Sequence, residues 1–316
     1  LKKRDQGFAR RSFAIASAFG LASILSVIIL GDESGYEIGD VQKTKLAAIE
    51  AEWETHPAPA GFTLIGLPNQ EEQRTDYAIK IPYVLGLIAT RSLDKEVTGI
   101  KDLLVQHEAR IRHGMTAYAL LQKLRAGDKS EATLAQFNQV KNDLGYGLLL
   151  KKYTPEVVDA TEEQIRLATL DTIPDVFTLF FSFRIMVGCG FLMLALFACA
   201  FYASARKNEE RKRWLLKWAL WSLPLPWLAA QTGWYVAEHG RQPWSIGEVL
   251  PVHLSASSLS TGDVWGSLLA LIAFYSLLLV VEMYLMIKFA RLGPSSLHTG
   301  RYHFEQGHAA SGAATA

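Results

Sequence analysis

Arg184 and Met186 stand two positions apart in a run that otherwise carries almost no charge. An arginine about eight residues, or roughly 12 Å, inside an apolar helix is costly unless it reaches the interface or meets an anion. It either snorkels to the outer surface or clamps a buried anionic group such as a haem propionate or a quinone oxygen. Met186 lies about 200° around the helix from Arg184. A thioether there either fills packing space or serves as an axial ligand favouring low-spin, higher-potential haem iron. Trp234, Glu238 and Arg241 follow i, i+4, i+7 spacing and share a face if the helix runs through Gly240. Glu238 is then either an interfacial charge or a carboxylate held by Arg241 and available to a metal or to protons. Glu282, between Val281 and Met283, is a lone acid in an apolar run. Such an acid suits a proton relay or an inter-helix hydrogen bond. Lys45 and Glu50 are i, i+5, about 140° apart on a helix, and do not pair directly. Taken alone, they fit a solvated surface.

Four apolar blocks must position these groups. Residues 12–31, 185–205 and 218–237 are uncharged, and 264–287 are interrupted only by Glu282. About 20 helical residues cross roughly 30 Å of bilayer hydrocarbon, and these blocks are apolar almost all round. The expected fold is an all-α membrane protein: a transmembrane helix bundle with four helices in this chain, near 12–31, 176–205, 214–238 and 264–290. Residues 32–175 form a large, mostly helical extracytoplasmic loop. Basic clusters at Lys2, Lys3, Arg4, Arg10 and Arg11, at Arg206 to Arg213, and at Lys288, Arg291 and Arg301 all fall on one side. That side is expected to be cytoplasmic. Residues 32–175 and 238–263 lie outside, and 291–316 form a cytoplasmic tail. The 32 basic and 31 acidic residues leave a net charge of +1, which excludes the basic excess of a nucleic-acid binder. Two cysteines exclude a disulfide scaffold. Cys189 and Cys199 are about 15 Å apart along one helix and cannot bridge each other.

Within the loop, Asp40 is placed to cap a helix running to about Glu54. Pro57, Pro59 and Gly61 mark an extended stretch. Helical periods resume at 98–125 and 131–144. Thr161 with Gln164 forms a capping box for a short helix to about Thr172. Gly145-Tyr146-Gly147 reads as a turn, since no strand precedes it as a phosphate loop requires. Residues 306–316, mostly Ala, Gly and Ser, are expected to be disordered. None of the eight histidines lies in an apolar block, so no bis-histidine haem site can form within the membrane from this chain. There is no CxxCH, HExxH or nucleotide loop. The start, Leu1-Lys2-Lys3-Arg4, has no initiator Met and reads like a loop between helices. The chain is expected to be the C-terminal portion of something longer.

The run Gly31–Glu50 (GDESGYEIGDVQKTKLAAIE) resembles the start of the quinol-binding loop in subunit I of cytochrome bd-type ubiquinol oxidases. Phe183–Val187 (FRIMV) resembles that family's haem-binding helix, and Gly240–Trp244 (GRQPW) its most recognisable pentapeptide. Residues 288–297 (KFARLGPSSL) and 300–305 (GRYHFE) resemble its C-terminal end. The similarity runs in order over nearly the whole chain, and the loop length resembles the long-loop branch.

The resemblance implies roles that the residues alone leave open. Lys45 and Glu50 match positions at the quinol site, where a cation holds a quinol oxygen and a carboxylate accepts a proton. Met186 matches an axial ligand of a low-spin haem b, with Arg184 near its propionates or the quinol. Glu238 matches the ligand of a high-spin haem b, supported by Trp234 through electron passage and by Arg241 through charge neutralisation. Glu282 receives no role. The family's haem-ligating histidines, including the ligand of haem d, have no counterpart here, and neither do the acids of its N-terminal proton path. The implied function is part of a terminal oxidase that oxidises quinol at the outer face of the bacterial inner membrane. It reduces oxygen to water and separates charge without pumping. The implied partners are a second membrane subunit, a small single-helix subunit and the N-terminal half of the same subunit. A proton-coupled transporter or a non-catalytic membrane receptor are the alternatives that the residues leave open. A transporter built on repeated halves is disfavoured, because the kink at Pro224 and Pro226 has no repeat.

Overall fold

The computed structural model describes residues 6–55, 57–58, 60–92 and 94–292. The basic residues 2–4, the end of the C-terminal resemblance and the tail expected to be disordered lie outside them. Helix α1, Gln6–Val41, is a single helix of 36 residues. It continues ten residues past the expected end at Gly31, because an isolated glycine weakens a helix by only about 1 kcal/mol. Asp40 is therefore inside α1 and caps nothing. The chain leaves helical geometry at Gln42 and starts α2, Lys43–Glu50, which closes at Ala51 in the left-handed conformation.

The loop is mostly helical, with one β-hairpin that the sequence pattern does not mark. Strands β1, Phe62–Asn69, and β2, Arg74–Ile81, form an antiparallel hairpin with two irregularities in register. Its turn is closed by Glu72 N–H donating to Asn69 Oδ1 at 3.1 Å. Helices α3, Val84–Thr90, α4, Ile100–Arg125, and α5, Glu131–Val140, follow. The expected turn at Gly145–Gly147 is instead part of helix α6, Leu144–Leu149. Its glycines serve packing: a Cβ on Gly147 would lie 2.4 Å from the Gly114 backbone, so α6 and α4 cross in direct contact. Helix α7, Glu162–Asp171, begins with the Thr161–Gln164 capping box, both halves formed.

Helix α8, Val176–Ala205, is capped by Asp175, whose side chain accepts from Phe177 N–H. The expected third membrane helix, 214–238, is two helices: α9, Arg213–Trp221, and α10, Leu225–His239. Pro224 and Pro226 lack the N–H groups that a continuous helix needs, and are tolerated only because a new helix starts there. A short pair, β3 Trp244–Ile246 and β4 Leu250–Pro251, follows. Helix α11, Thr261–Leu292, completes the described chain. Among the described residues three helical stretches are long and apolar enough to cross a membrane: Gly7–Val41, Glu162–Ala205 and Thr261–Arg291.

Residues 10–256 form one compact unit, and α11 belongs to another. In the larger unit, the most extensive helix–helix contact is between α8 and α10. Its principal core joins Ala47, Ala48 and Ile49 of α2 to Ile100 and Leu103 of α4, Val176, Leu179 and Phe180 of α8, and Val236 of α10. An eight-residue helix is too short to be stable by itself, so this apolar seat fixes where α2 points its side chains.

Candidate functional site

Seating α2 in this way sends its two buried ionisable residues, Lys45 and Glu50, to different helices. Lys45 is 7% exposed and Glu50 is 3% exposed, so the solvated-surface reading fails for both. Glu50 Oε2 accepts from Arg184 Nη2 at 3.0 Å. The remaining Arg184 donors go to backbone carbonyls. Nε donates to Leu64 at 3.1 Å, Nη1 to Ile49 at 2.9 Å and to Phe180 at 3.0 Å, and Nη2 also to Thr63. A guanidinium has five N–H donors, and all five are engaged within this chain. The Arg184 group also stacks over the Phe180 ring, 3.3 Å from its centroid. The anion beside Arg184 is thus Glu50, and the pair ties α2, α8 and the β1 strand together. Burial pushes the Glu50 carboxyl up to about 7, against the opposing pull of Arg184.

Lys45 Nζ donates to Ala237 O, near the end of α10, at 3.0 Å. Burial first, then the Arg241 charge, lowers its pKa, while Glu238 opposes. The approach is possible because residue 240 is glycine: a Cβ there would lie 2.8 Å from Lys45 Cε and 2.6 Å from Val236 O. Helix α10 ends at His239, yet Arg241 N–H still donates to Glu238 O at 3.3 Å. The turn brings the Arg241 guanidinium onto the Glu238 carboxylate. Trp234 lies on α10 one turn before Glu238 and is mostly exposed. Trp244 packs on the Tyr146 ring with centroids 5.0 Å apart. The pentapeptide therefore joins Lys45 at one end to α6 at the other.

Met186 is half-buried on α8 with its sulfur against α10, where a Cβ on Gly233 would lie 2.9 Å from Sδ. Glu282 is exposed on α11. No group of three or more His, Cys, Asp and Glu residues suited to a metal ion occurs among the described residues. Both cysteines are free.

One further cluster leaves little local trace in the sequence. A cavity of about 670 Å³ lies between residues 40–45, helix α4, Tyr146 and the segment 240–248. His107 and Arg110 of α4 line it together with Lys45, Arg241, Tyr146 and Glu248. Arg110 binds Asp143 at 2.7 Å and Glu248 at 2.9 Å. It also stacks on the Tyr146 ring at 4.1 Å, and Tyr146 donates to Glu248 Oε1 at 3.1 Å. The i, i+3 spacing of His107 and Arg110 was the available signal, but nothing local shows that their face meets residue 248.

The chain matches the cytochrome bd terminal oxidase subunit I family over residues 1–294. It is 44% identical over 307 residues to the cytochrome bd-II ubiquinol oxidase subunit 1 of Escherichia coli, a match covering 97% of this chain and 60% of that protein. It is 27% identical over 292 residues to the cytochrome bd ubiquinol oxidase subunit 1 of Bacillus subtilis, covering 92% and 50%. The bd oxidase structure from Geobacillus thermodenitrificans shares the fold, with a TM-score of 0.51 at 23% identity over 90% of this chain and 49% of that one. This chain belongs to the cytochrome bd terminal oxidase subunit I family and is a membrane protein of that helical fold. It spans between half and three-fifths of the length of these curated relatives.

Proposed function

We propose that this chain is part of subunit I of a quinol:oxygen oxidoreductase in the bacterial inner membrane, with residues 32–175 and 238–263 on the outer side. The observation that carries the reading is the double attachment of α2. Glu50 pairs with Arg184 two residues before Met186, and Lys45 bonds Ala237 O one residue before Glu238. The start of the loop that resembles a quinol site is thereby fixed to both helices that carry candidate haem ligands.

The donor set fits haem, with Met186 and Glu238 each offering one donor that would hold an iron. A thioether sulfur suits low-spin haem b and a carboxylate held by Arg241 suits high-spin haem b. Among the described residues the buried Nε2 of His239 has no hydrogen-bond partner, which fits a group or segment packing there. Haem, when bound, supplies iron that takes electrons singly and delivers them to oxygen. Met186 would hold one such group and Glu238 another. The second low-spin ligand, the ligand of haem d and a further membrane subunit come from outside this sequence. Lys45 orients a quinol oxygen, and Arg184 and Glu50 hold α2 against α8 while this occurs. Protons released outside and consumed from inside separate charge without a pump. In the full-length oxidase, Met186→Leu is expected to abolish the low-spin b band of the reduced-minus-oxidised spectrum. An unchanged spectrum removes that ligand assignment.

A further inference from the structure

Lys45 and Glu50 meet different surroundings. Glu50 is sealed against Arg184 and does not line the 670 Å³ cavity, whereas Lys45 and His107 both do. The protonation of His107 follows from its neighbours. The Thr172 hydroxyl donates to Thr169 O at 2.6 Å, so its oxygen accepts from His107 Nδ1 at 2.8 Å. The imidazole proton is therefore on Nδ1, and the Nε2 lone pair faces Thr44 Oγ1 at 3.4 Å. That distance is long for a hydrogen bond, so a better donor entering the cavity displaces it.

We propose that His107 Nε2 accepts a proton from a hydroxyl of the quinol bound in this cavity, with Lys45 holding the ring oxygens. The proposal rests on the quinol-oxidase reading above and moves the proton acceptor from Glu50 to His107. For each hydroxyl in turn, the O–H bond breaks and the proton goes to Nε2; the one-electron acceptor would be an oxidised haem iron, held when bound by the candidate ligands named above. The imidazolium then releases its proton to water in the cavity.

The charges around His107 favour this passage. Arg110 approaches from α4, the Tyr146 ring from α6 at 5.4 Å, and Asp40, Lys43 and Lys45 from the α1–α2 junction. Arg241 and Glu248 face the cavity from the segment after α10. Cations outnumber anions, which keeps the imidazole neutral and ready to accept. Burial first, then Arg110, pushes its pKa down to about 4, with Glu248 opposing. A hydroxyl that is losing an electron is far more acidic than resting quinol, so a base this weak takes the proton and does not retain it.

The test uses the full-length oxidase with its partner subunit. His107→Gln keeps a donor for Thr172 but cannot accept the proton. Quinol kcat/KM is expected to fall about a hundredfold, with the haem spectrum intact and unchanged electron uptake from a tetramethylated phenylenediamine, which bypasses quinol. Imidazole is expected to restore part of the quinol rate in His107→Ala. A quinol rate within twofold of wild type in His107→Gln overturns the assignment alone. A wild-type enzyme that accepts phenylenediamine electrons but oxidises no quinol overturns the reading of the whole protein as well. Where His107→Gln fails to retain haem, Gly247→Phe decides. Gly247 lines the cavity and a Cβ there meets nothing within 4 Å. A severalfold rise in quinol KM supports the site, and an unchanged KM overturns it.

Discussion

Arg184 and Glu50 form a buried pair whose two halves are expected to respond differently to removal. Arg184→Met leaves Glu50 with no cation and strips a donor from the carbonyls of Ile49, Thr63 and Leu64. Each unsatisfied buried acceptor costs about 1–3 kcal/mol, and breaking a buried ion pair costs about 3–5 kcal/mol in all. Some carbonyls recover a water, so a loss of about 3–5 kcal/mol is expected for the α2–β1 region. Glu50→Gln leaves the guanidinium among four carbonyl dipoles and keeps an acceptor in place, so a loss of about 1 kcal/mol or less is expected. The pH dependence separates the two further. Because the folded carboxyl is raised to about 7 from 4.5, the folded protein binds the proton more tightly than the unfolded chain. The resulting stability is fully present below pH 4.5 and is lost as pH rises through 7. The change is about 3 kcal/mol, and Glu50→Gln should abolish it. Hydrogen exchange at Leu64, Ile65 and residues 46–50, in the full-length protein in nanodiscs across pH 5–8.5, reads both effects. Equal destabilisation by the two substitutions, or a wild-type profile as flat as that of Glu50→Gln, refutes the reasoning.

Other consequences follow from single contacts. Gly240→Ala pushes a methyl into Lys45 Cε and Val236 O, and is expected to cost about 1–3 kcal/mol; a thermal melt of the full-length protein reports it, as does the quinol KM on the proposed function. Thr161→Ala removes one half of the capping box of α7 and should cost about 1 kcal/mol, seen as faster exchange at Gln164 and Ile165. His107, lowered to about 4 from 6.5, is less readily protonated in the folded loop than in the unfolded chain. Its contribution is present above pH 6.5 and is lost as pH falls through 4, by about 3 kcal/mol. His107→Gln should flatten the acid limb of an unfolding curve, and an unchanged limb would place the acid sensitivity elsewhere.

The parts of this fold that were legible in the sequence are those set by neighbours in the chain. The uncharged run after Arg184 is a helix because no polar face interrupts it, and Thr161 with Gln164 caps α7 because both hydrogen bonds are local. The end of α1 was misplaced because polarity changes at Gly31 while helical geometry does not. The prolines at 224 and 226 were visible, yet hydropathy summed over 20 residues outweighs a break it does not measure. Contacts distant in sequence left no such trace. Glu50 and Arg184 are 134 positions apart, and nothing around either residue names the other. The resemblance placed both near a quinol site, but not in contact. Tyr146 looked like a turn because glycines flank it; those glycines are there for Gly114 and for the backbone at Glu248.

On the quinol-oxidase proposal, α2 links the cavity beside Lys45 to the two helices that carry the candidate haem ligands. Lys45 and Glu50 lie near opposite ends of a two-turn helix whose middle, Ala47 to Ile49, is packed against α8 and α10 together. Fixing either end alone would leave the short helix free to pivot about its apolar seat. Fixing both, one to α10 through Ala237 O and the other to α8 through Arg184, removes that freedom. Any shift at the wet end, where Lys45 borders the cavity, is then carried to the dry end as strain on the Arg184 carbonyl cage. A change in the ionisation of Glu50 loosens or tightens that cage without entering the cavity. On that proposal Glu50 acts by positioning α2, in keeping with its contact to Arg184 and its absence from the lining of the cavity that Lys45 borders.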